Sequence, residues 1–190
     1  MNKLILMRHA EKDSTGQITK KGIEDAFQLG KKLKSKGIEI ELIRTSPIER
    51  CKKTALELIN GYNEEICTIE DNYLGDPGIY IKNDKSAIKV FNEYQLIEVM
   101  NKQIKNEYLE GFEDFIIGSK KLERKILNEK YASGKIIVYI SHDAIINPFI
   151  AYLNKSNAIH SNEIVNYLEY FEIIKYDNLL KYVEPKKSFF

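Results

Sequence analysis

Two short apolar runs constrain the fold of this chain more than any other feature of its sequence. They occupy residues 3–7 (KLILM) and 135–140 (KIIVYI), and after the opening lysine neither contains a polar interruption. Runs of this length are typical of strands buried on both faces, as in a parallel sheet covered by helices. Segments with helical spacing of apolar residues lie between them. The sequence therefore predicts an α/β fold of three layers, in which helices flank a mostly parallel central sheet.

The remaining elements follow from periodicity and from turn and cap residues. Further strands are predicted at 38–43 and 66–70, and a hairpin over 164–183 that turns at 176–178. Helices are predicted over 19–37, 46–60, most of 84–131 and 145–154. We expect Pro47 to occupy the first helical position after Ser46. Within the long helical segment, Gly111 and Gly118 are expected breaks.

Composition restricts the class of protein. With 190 residues, 43% hydrophobic and 30% charged, the chain is expected to form one globular domain over 1–190. Its formal net charge of +1 argues against broad binding to nucleic acid or to anionic membranes. Cys51 and Cys67 lack the spacing of a disulfide framework or a zinc knuckle. The N-terminal apolar run is too short for a signal peptide, and a cytoplasmic location is expected.

Three polar motifs follow predicted strands: Arg8-His9, Ser46 to Arg50, and Ser141-His142-Asp143. In a mostly parallel sheet, ligands bind beyond the carboxyl ends of the strands, so these motifs are expected to meet in one pocket. Arginines offer forks of donors that match phosphate oxygens. A neutral imidazole can attack phosphorus and form a phosphohistidine, which water then hydrolyses. The motifs therefore indicate phosphoryl transfer.

At these motifs the chain resembles the histidine phosphatase superfamily, also called the phosphoglycerate-mutase-like fold. The resemblance covers residues 4–30, 45–55 and 136–144. The first stretch has a strand ending in Arg-His and an Ile-Thr-x-x-Gly helix start at 18–22. The second has Ser-x-x-x-Arg leading to Thr-Ala, and the third has a strand ending in a second histidine. The resemblance implies that His9 is the phosphorylated nucleophile and that Arg8, Arg50 and His142 surround the phosphate.

The chain departs from the family pattern in two places. Ala10 replaces the glycine that usually follows Arg-His, as in members that act on phosphohistidine proteins. The Ser-x-Trp-Asn segment of phosphoglycerate mutases is missing, and the chain contains no Trp. Ser14 and Thr15 are the hydroxyls that can bind the phosphate instead. The second departure favours a phosphatase over a mutase.

Two carboxyl groups are candidates for the acid that protonates the leaving group. One branch of the family has a carboxylate after the third strand, and Asp76 falls in that place here. The acid-phosphatase branch has an aspartate directly after the second histidine, and Asp143 resembles it. Either needs a raised pKa to carry a proton at neutral pH. We favour Asp143, with Asp76 as the alternative. Residues 71–134 are too long for a plain crossover, so part of this insert is predicted to cap the pocket and to select the substrate.

The resulting hypothesis is a phosphomonoester hydrolase that needs neither a metal ion nor a cofactor. Its expected partner is a small phosphorylated substrate or a phosphoprotein. The alternatives are a phosphoglycerate-mutase-like phosphotransferase, a protein phosphohistidine phosphatase and a non-catalytic phosphoryl-binding module. A metal hydrolase with His9, His142 and Asp143 as ligands is disfavoured, since two nearby arginines would weaken the binding of a cation. The sequence assigns no role to His160 and does not indicate an oligomeric state.

Overall fold

The computed structural model describes residues 2–176 and 179–186. Within them, the strands are β1 (Asn2–Arg8), β2 (Ile40–Thr45), β3 (Cys67–Glu70), β4 (Ile136–Ser141), β5 (Tyr170–Lys175) and β6 (Leu180–Lys186). The helices are α1 (Lys20–Ser35), α2 (Glu49–Tyr62), α3 (Asp84–Glu93), α4 (Leu96–Ile104), α5 (Phe115–Asn128) and α6 (Asp143–Asn154). Short 3-10 turns occur at Asn72–Leu74 and Ser161–Glu163.

The strands form one mixed sheet in the order β3-β2-β4-β1-β5-β6. β1, β2, β3 and β4 run parallel, whereas β5 is antiparallel to β1 and β6 is antiparallel to β5. Arg8 at the end of β1 lies opposite Ser141 at the end of β4. The mostly parallel sheet and the C-terminal hairpin are thus confirmed, although the hairpin starts at Tyr170. Its predicted turn at 176–178 falls largely outside the described residues.

Alternating side chains of β1 contribute to two separate cores, one on each face of the sheet. Leu4 and Leu6 pack with apolar residues of α4, α5 and α6. Ile5 and Met7 pack with apolar residues of α1 and α2. A central strand buried on both faces needs a continuous apolar run, and this explains the composition of residues 3–7. The predicted three-layer arrangement is confirmed.

The helices α1 and α2 cross at an unusually short distance because each has a glycine at the contact. A Cβ atom on Gly61 would lie 1.8 Å from the carbonyl oxygen of Phe27, and one on Gly30 would lie 2.0 Å from that of Leu58. Only a residue without a side chain permits such an approach of two backbones. The crossing fixes α2, and therefore its first turn, over the end of the sheet.

Two predictions about helix boundaries are wrong. Pro47 precedes α2, which begins at Glu49, because the Ser46 hydroxyl accepts a hydrogen bond from the Ile48 amide and holds this segment as a loop. Gly118 lies inside α5 and does not break it. A Cβ atom there would lie 2.6 Å from the ring of Tyr80, so the glycine makes room for that ring. The other expected break is confirmed, since Gly111 lies between α4 and α5 with φ at 82°.

The insert at 71–134 divides into two parts. The helix α5 packs on the sheet through Leu122 and Ile126 and belongs to an outer layer. The helices α3 and α4 stand over the ends of the strands, and both contribute walls to a cavity. Among the helices of the described residues, none has the length and apolar character needed to cross a membrane.

Candidate active site

Two histidines from neighbouring strands meet at the carboxyl end of the sheet. His9 directly follows β1 and His142 directly follows β4, and the backbone N–H of His9 donates to the Ser141 carbonyl at 3.0 Å. Their ring centroids are 5.2 Å apart. Both residues are buried, with 2% and 7% of their surface exposed. The parallel pairing of β1 with β4 therefore places both imidazoles in one pocket, as the sequence predicted.

The hydrogen bonds of His9 fix which of its nitrogens carries the proton. Its Nδ1 lies 2.7 Å from the carbonyl oxygen of Ala10, which can only accept, so Nδ1 carries the hydrogen. Its Nε2 lies 3.1 Å from Nε of Arg50, which can only donate, so Nε2 presents a lone pair. This is the tautomer in which Nε2 can act as a nucleophile.

Arg50 joins the two histidines. Its Nη2 lies 3.2 Å from Nδ1 of His142 and donates to it, while its Nε donates to His9. The opposite nitrogen of His142, Nε2, lies 3.1 Å from the Ser46 hydroxyl. Thr54, one turn along α2, accepts from the amide of Ala10 at 3.0 Å and donates to the Arg50 carbonyl at 2.7 Å. The Thr-Ala motif thus ties the turn that carries Arg50 to the segment after His9.

Both imidazoles are uncharged near neutral pH. Burial is the largest cause, and it lowers the pKa of His9 to about 3. The hydrogen bond to the Ala10 carbonyl acts in the opposite direction, whereas the positive charges of Arg50, Arg8 and Lys12 lower the pKa further. Burial also lowers the pKa of His142 to about 2, with Arg50, His9 and Arg8 as further causes. A positive imidazolium is disfavoured both by loss of water and by neighbouring guanidinium groups. The pocket therefore holds neutral histidines beside positive arginines.

Arg8 is held from three sides. It forms an ion pair with Asp143 at 2.5 Å and donates to the Val165 carbonyl at 2.8 Å. The ring of Tyr167 lies 4.3 Å from the guanidinium carbon and 5.6 Å from the His9 ring, measured between centroids. Among the described residues, the buried Nε of Arg8 has no hydrogen-bond partner. Sequence reasoning missed Tyr167, since it falls in the predicted hairpin at 164–183 and outside the three polar motifs.

The carboxyl group of Asp143 contacts both a neighbouring arginine and the start of a helix. Besides the ion pair with Arg8, its Oδ1 accepts from the backbone amide of Ala144 at 2.9 Å, in the first turn of α6. Both carboxyl oxygens of Asp143 are therefore engaged by neighbouring donors. In this arrangement Asp143 orients Arg8.

The loop that carries Asp76 folds inward onto the histidines. A Cβ atom on Gly75 would lie 2.5 Å from Oγ of Ser46 and 2.8 Å from Nε2 of His142, so only glycine allows this approach. Asp76 follows at the mouth of a cavity that Arg50 and His142 also line. Its carboxyl group is exposed. A carboxyl group in this position can lie beside an oxygen of a bound substrate.

The structure does not bring Ser14 and Thr15 into this cavity. Both are exposed, and the Thr15 hydroxyl donates to Oδ1 of Asp13 at 2.7 Å. Their loop nonetheless passes close to Arg50, because a Cβ atom on Gly16 would lie 3.9 Å from its Nη1. Phosphate binding by the two hydroxyls stays a prediction.

One of the two cysteines lies beside the histidines. Burial raises the pKa of Cys51 to about 12, so its thiol stays protonated beside His142 at 3.5 Å, while Cys67 is exposed.

Within residues 2–176 and 179–186, no three His, Cys, Asp or Glu side chains are placed to share a metal ion. Moreover, Arg50 already donates to the imidazole lone pairs that a metal would need.

Comparisons with known proteins identify the family of this chain. Residues 4–177 match the histidine phosphatase superfamily (branch 1). A 2,3-bisphosphoglycerate-dependent phosphoglycerate mutase from Staphylococcus saprophyticus is 37% identical over 113 residues, which cover 50% of this chain and 48% of that protein. The match therefore spans about half the length of this curated relative.

Solved structures share the fold over nearly the whole chain. YhfR from Bacillus stearothermophilus superposes with a TM-score of 0.70 at 18% identity, covering 99% of this chain and 98% of its own. A phosphoserine phosphatase from Entamoeba histolytica, solved as a mutant with phosphoserine, has a TM-score of 0.66 at 18% identity and 98% coverage of both chains. At these identities the likeness concerns the fold alone.

Proposed function

Because this chain belongs to the histidine phosphatase superfamily, we propose that it hydrolyses phosphate monoesters through a phosphohistidine on His9, without a metal ion. The observation that carries the proposal is the paired hydrogen bonding of His9. Its Nδ1 proton is engaged by the Ala10 carbonyl, which leaves Nε2 with a lone pair directed at Arg50. A nucleophile in the correct tautomer, next to a group that binds phosphate, is the minimum that this chemistry requires.

Arg50 changes partners during the reaction. In the resting site it donates to His9 and to His142. A bound phosphoryl group offers charged oxygens, which are stronger acceptors than imidazole nitrogens. Once Arg50 donates to these oxygens, Nε2 of His9 is free to attack phosphorus in line with the leaving oxygen. The buried Nε of Arg8 supplies a further donor.

His142 assists through a change of tautomer. The Ser46 hydroxyl beside its Nε2 can donate or accept, so it accommodates either tautomer of the ring. When Arg50 moves to the phosphoryl group, a proton on Nδ1 lets neutral His142 donate to a phosphoryl oxygen. A donor placed where charge develops stabilises the transition state.

Asp76 is the proton donor in this proposal. As the P–O bond breaks, its carboxyl proton passes to the leaving oxygen and releases the alcohol. The resulting carboxylate then takes a proton from water, whose oxygen attacks phosphorus and releases phosphate from His9. The inward fold of the Gly75 loop supports this assignment, and Asp143 is already paired with Arg8.

The test is to trap the intermediate. Wild-type protein is mixed with an aryl phosphate in the presence of a chelator, quenched in alkali, and digested for mass spectrometry. We expect an acid-labile phosphate on the peptide that holds His9, together with release of inorganic phosphate. The variant His9→Asn should give neither, and His160→Asn, which changes an exposed histidine, should behave as wild type. Phosphate on the His142 peptide, or full turnover by His9→Asn, would contradict the proposal.

A mutase is the second candidate, because the curated relative of this chain is named as one. The two functions differ in the acceptor of the phosphoryl group, which is water in one and a second hydroxyl in the other. Incubation with 3-phosphoglycerate and a trace of 2,3-bisphosphoglycerate, which phosphorylates the histidine of a mutase, separates them. A hydrolase releases inorganic phosphate, whereas a mutase converts the compound into its isomer with no net release.

A further inference from the structure

An apolar cavity continues directly from the phosphate pocket. It has a volume of about 240 Å³ and begins at Arg50 and His142. Its walls come mainly from α3, α4 and the segments beside them. Side chains that form the apolar wall are Tyr80, Phe91, Val99, Met100, Phe112 and Ile145. A phosphate held by Arg50 would therefore direct the organic part of its ester into this cavity.

The charges of the cavity are unevenly distributed. Arg50 is the cation among the lining residues, all of which the structure describes, and the phosphate itself engages it. The remaining charged side chains of the wall are Asp76 and Asp143, which are acidic. A carboxylate or second phosphate on the substrate would therefore meet these carboxylates, apolar side chains and the neutral amide of Gln103, with no cation left to pair with. Burying such an unpaired charge is strongly unfavourable.

We propose, building on the hydrolase function above, that the substrate is the monophosphate ester of a small, uncharged, mainly apolar alcohol, whose organic group fills this cavity. The volume of the cavity agrees with an alcohol of this kind, since an apolar cavity of about 150 Å³ is enough to hold benzene. The present cavity accommodates a single ring or a short branched chain. Phosphoglycerates and other anionic phosphate esters are poor substrates under this assignment.

A series of alkyl monophosphates tests the assignment. Ethyl, butyl and hexyl phosphate release alcohols of nearly equal acidity, so differences in kcat/KM report on how the chain is bound. Each methylene group that becomes buried should raise kcat/KM by about fourfold, from a transfer free energy of about 0.8 kcal/mol. We expect a rise along the series, and a kcat/KM for 3-phosphoglycerate at least about tenfold below that for butyl phosphate.

Phe91 is the wall residue best suited to substitution, because it is 39% exposed and its loss leaves no deep cavity in the core. The variant Phe91→Ala should flatten the dependence of kcat/KM on chain length, because the longer chains lose the wall that they contact. Ile88→Ala is the matched control, since Ile88 lies on the same helix, is 57% exposed and does not line the cavity. It should keep the wild-type dependence. Phe91→Lys should raise kcat/KM for 3-phosphoglycerate relative to butyl phosphate.

The outcomes separate this inference from the proposed function. A series that is flat in chain length, or a preference for 3-phosphoglycerate, would overturn the apolar substrate class even though phosphohistidine still forms on His9. An unchanged chain-length dependence in Phe91→Ala would also overturn it, because the organic group would then lie elsewhere. If no ester is hydrolysed and no phosphohistidine forms, the hydrolase function itself fails.

Discussion

Acidification should destabilise this protein through its two buried histidines. The pKa of His9 is lowered to about 3 and that of His142 to about 2, against 6.5 for an ordinary histidine. Below pH 6.5 the unfolded chain binds a proton at each position and the folded chain does not. The free energy of unfolding therefore falls as the pH falls. The stabilisation from each neutral imidazole is fully present above pH 6.5 and is lost progressively toward the lowered pKa of the folded state.

The size of this loss follows from the two pKa values. Between about pH 6.5 and about pH 4.5, one histidine that stays neutral only in the folded state lowers the free energy of unfolding by roughly 2 kcal/mol. His9 and His142 together lower it by roughly 4 kcal/mol over that range. This is comparable with the whole stability of a small domain, about 5–15 kcal/mol. We therefore expect unfolding in mild acid, before most carboxylates are protonated.

Urea unfolding of wild type and of His142→Gln at several pH values measures the effect. Carboxylates titrate equally in both proteins, so the difference between their curves isolates the histidine. On going from about pH 6.5 to about pH 4.5, the free energy of unfolding of wild type should fall by roughly 2 kcal/mol more than that of His142→Gln. The control His160→Gln, at an exposed position, should follow the wild-type curve. If His142→Gln loses as much stability in acid as wild type does, the imidazole is not held neutral and the reasoning is refuted.

Three further predictions concern packing and proton transfer. Gly61→Ala should lower the free energy of unfolding by about 1–3 kcal/mol, because its new Cβ atom meets a carbonyl oxygen of α1; an unchanged urea midpoint would contradict this. Thr54→Val leaves the buried amide of Ala10 unpaired, which should cost about 1–3 kcal/mol and lower kcat more than it changes KM. Asp76→Asn should reduce kcat/KM by about 10²–10⁴-fold on alkyl phosphates and far less on aryl phosphates, whose leaving groups need no proton. Asp143→Asn should reduce kcat/KM equally for alkyl and aryl phosphates, because it acts through Arg8. A loss confined to alkyl esters in this variant would make Asp143 the acid in place of Asp76.

The sequence predicted those features that depend on local pattern. Continuous apolar runs identified the central strands, and the rule for parallel sheets brought Arg8, His9, Arg50 and His142 to one edge. Both inferences need only neighbouring residues and a topology rule. The three-layer fold follows from the same information, since a strand buried on both faces requires helices on both sides.

Other features depend on pairs of residues that only the tertiary structure brings together. The ion pair of Arg8 with Asp143 joins residues that are far apart in the sequence, and it underlies our proposal that Asp143 orients Arg8. Tyr167 reaches Arg8 because of the path that the chain takes after α6, which no periodicity reveals. Gly118 has the sequence signature of a helix break, but its small size serves the contact with Tyr80.

The central position of β1 has a consequence for synthesis of the protein. This strand is synthesised before both of its hydrogen-bonding neighbours, β4 and β5, which are contributed by residues 136–141 and 170–175. Until these emerge from the ribosome, both edges of an apolar strand lack partners, and open edges of this kind invite aggregation. Pairing across so long a stretch of chain is also intrinsically slow. The segment that holds His9 and Arg50 thus waits for the later strands, and recovery of activity after dilution from denaturant should mark the closing of the sheet.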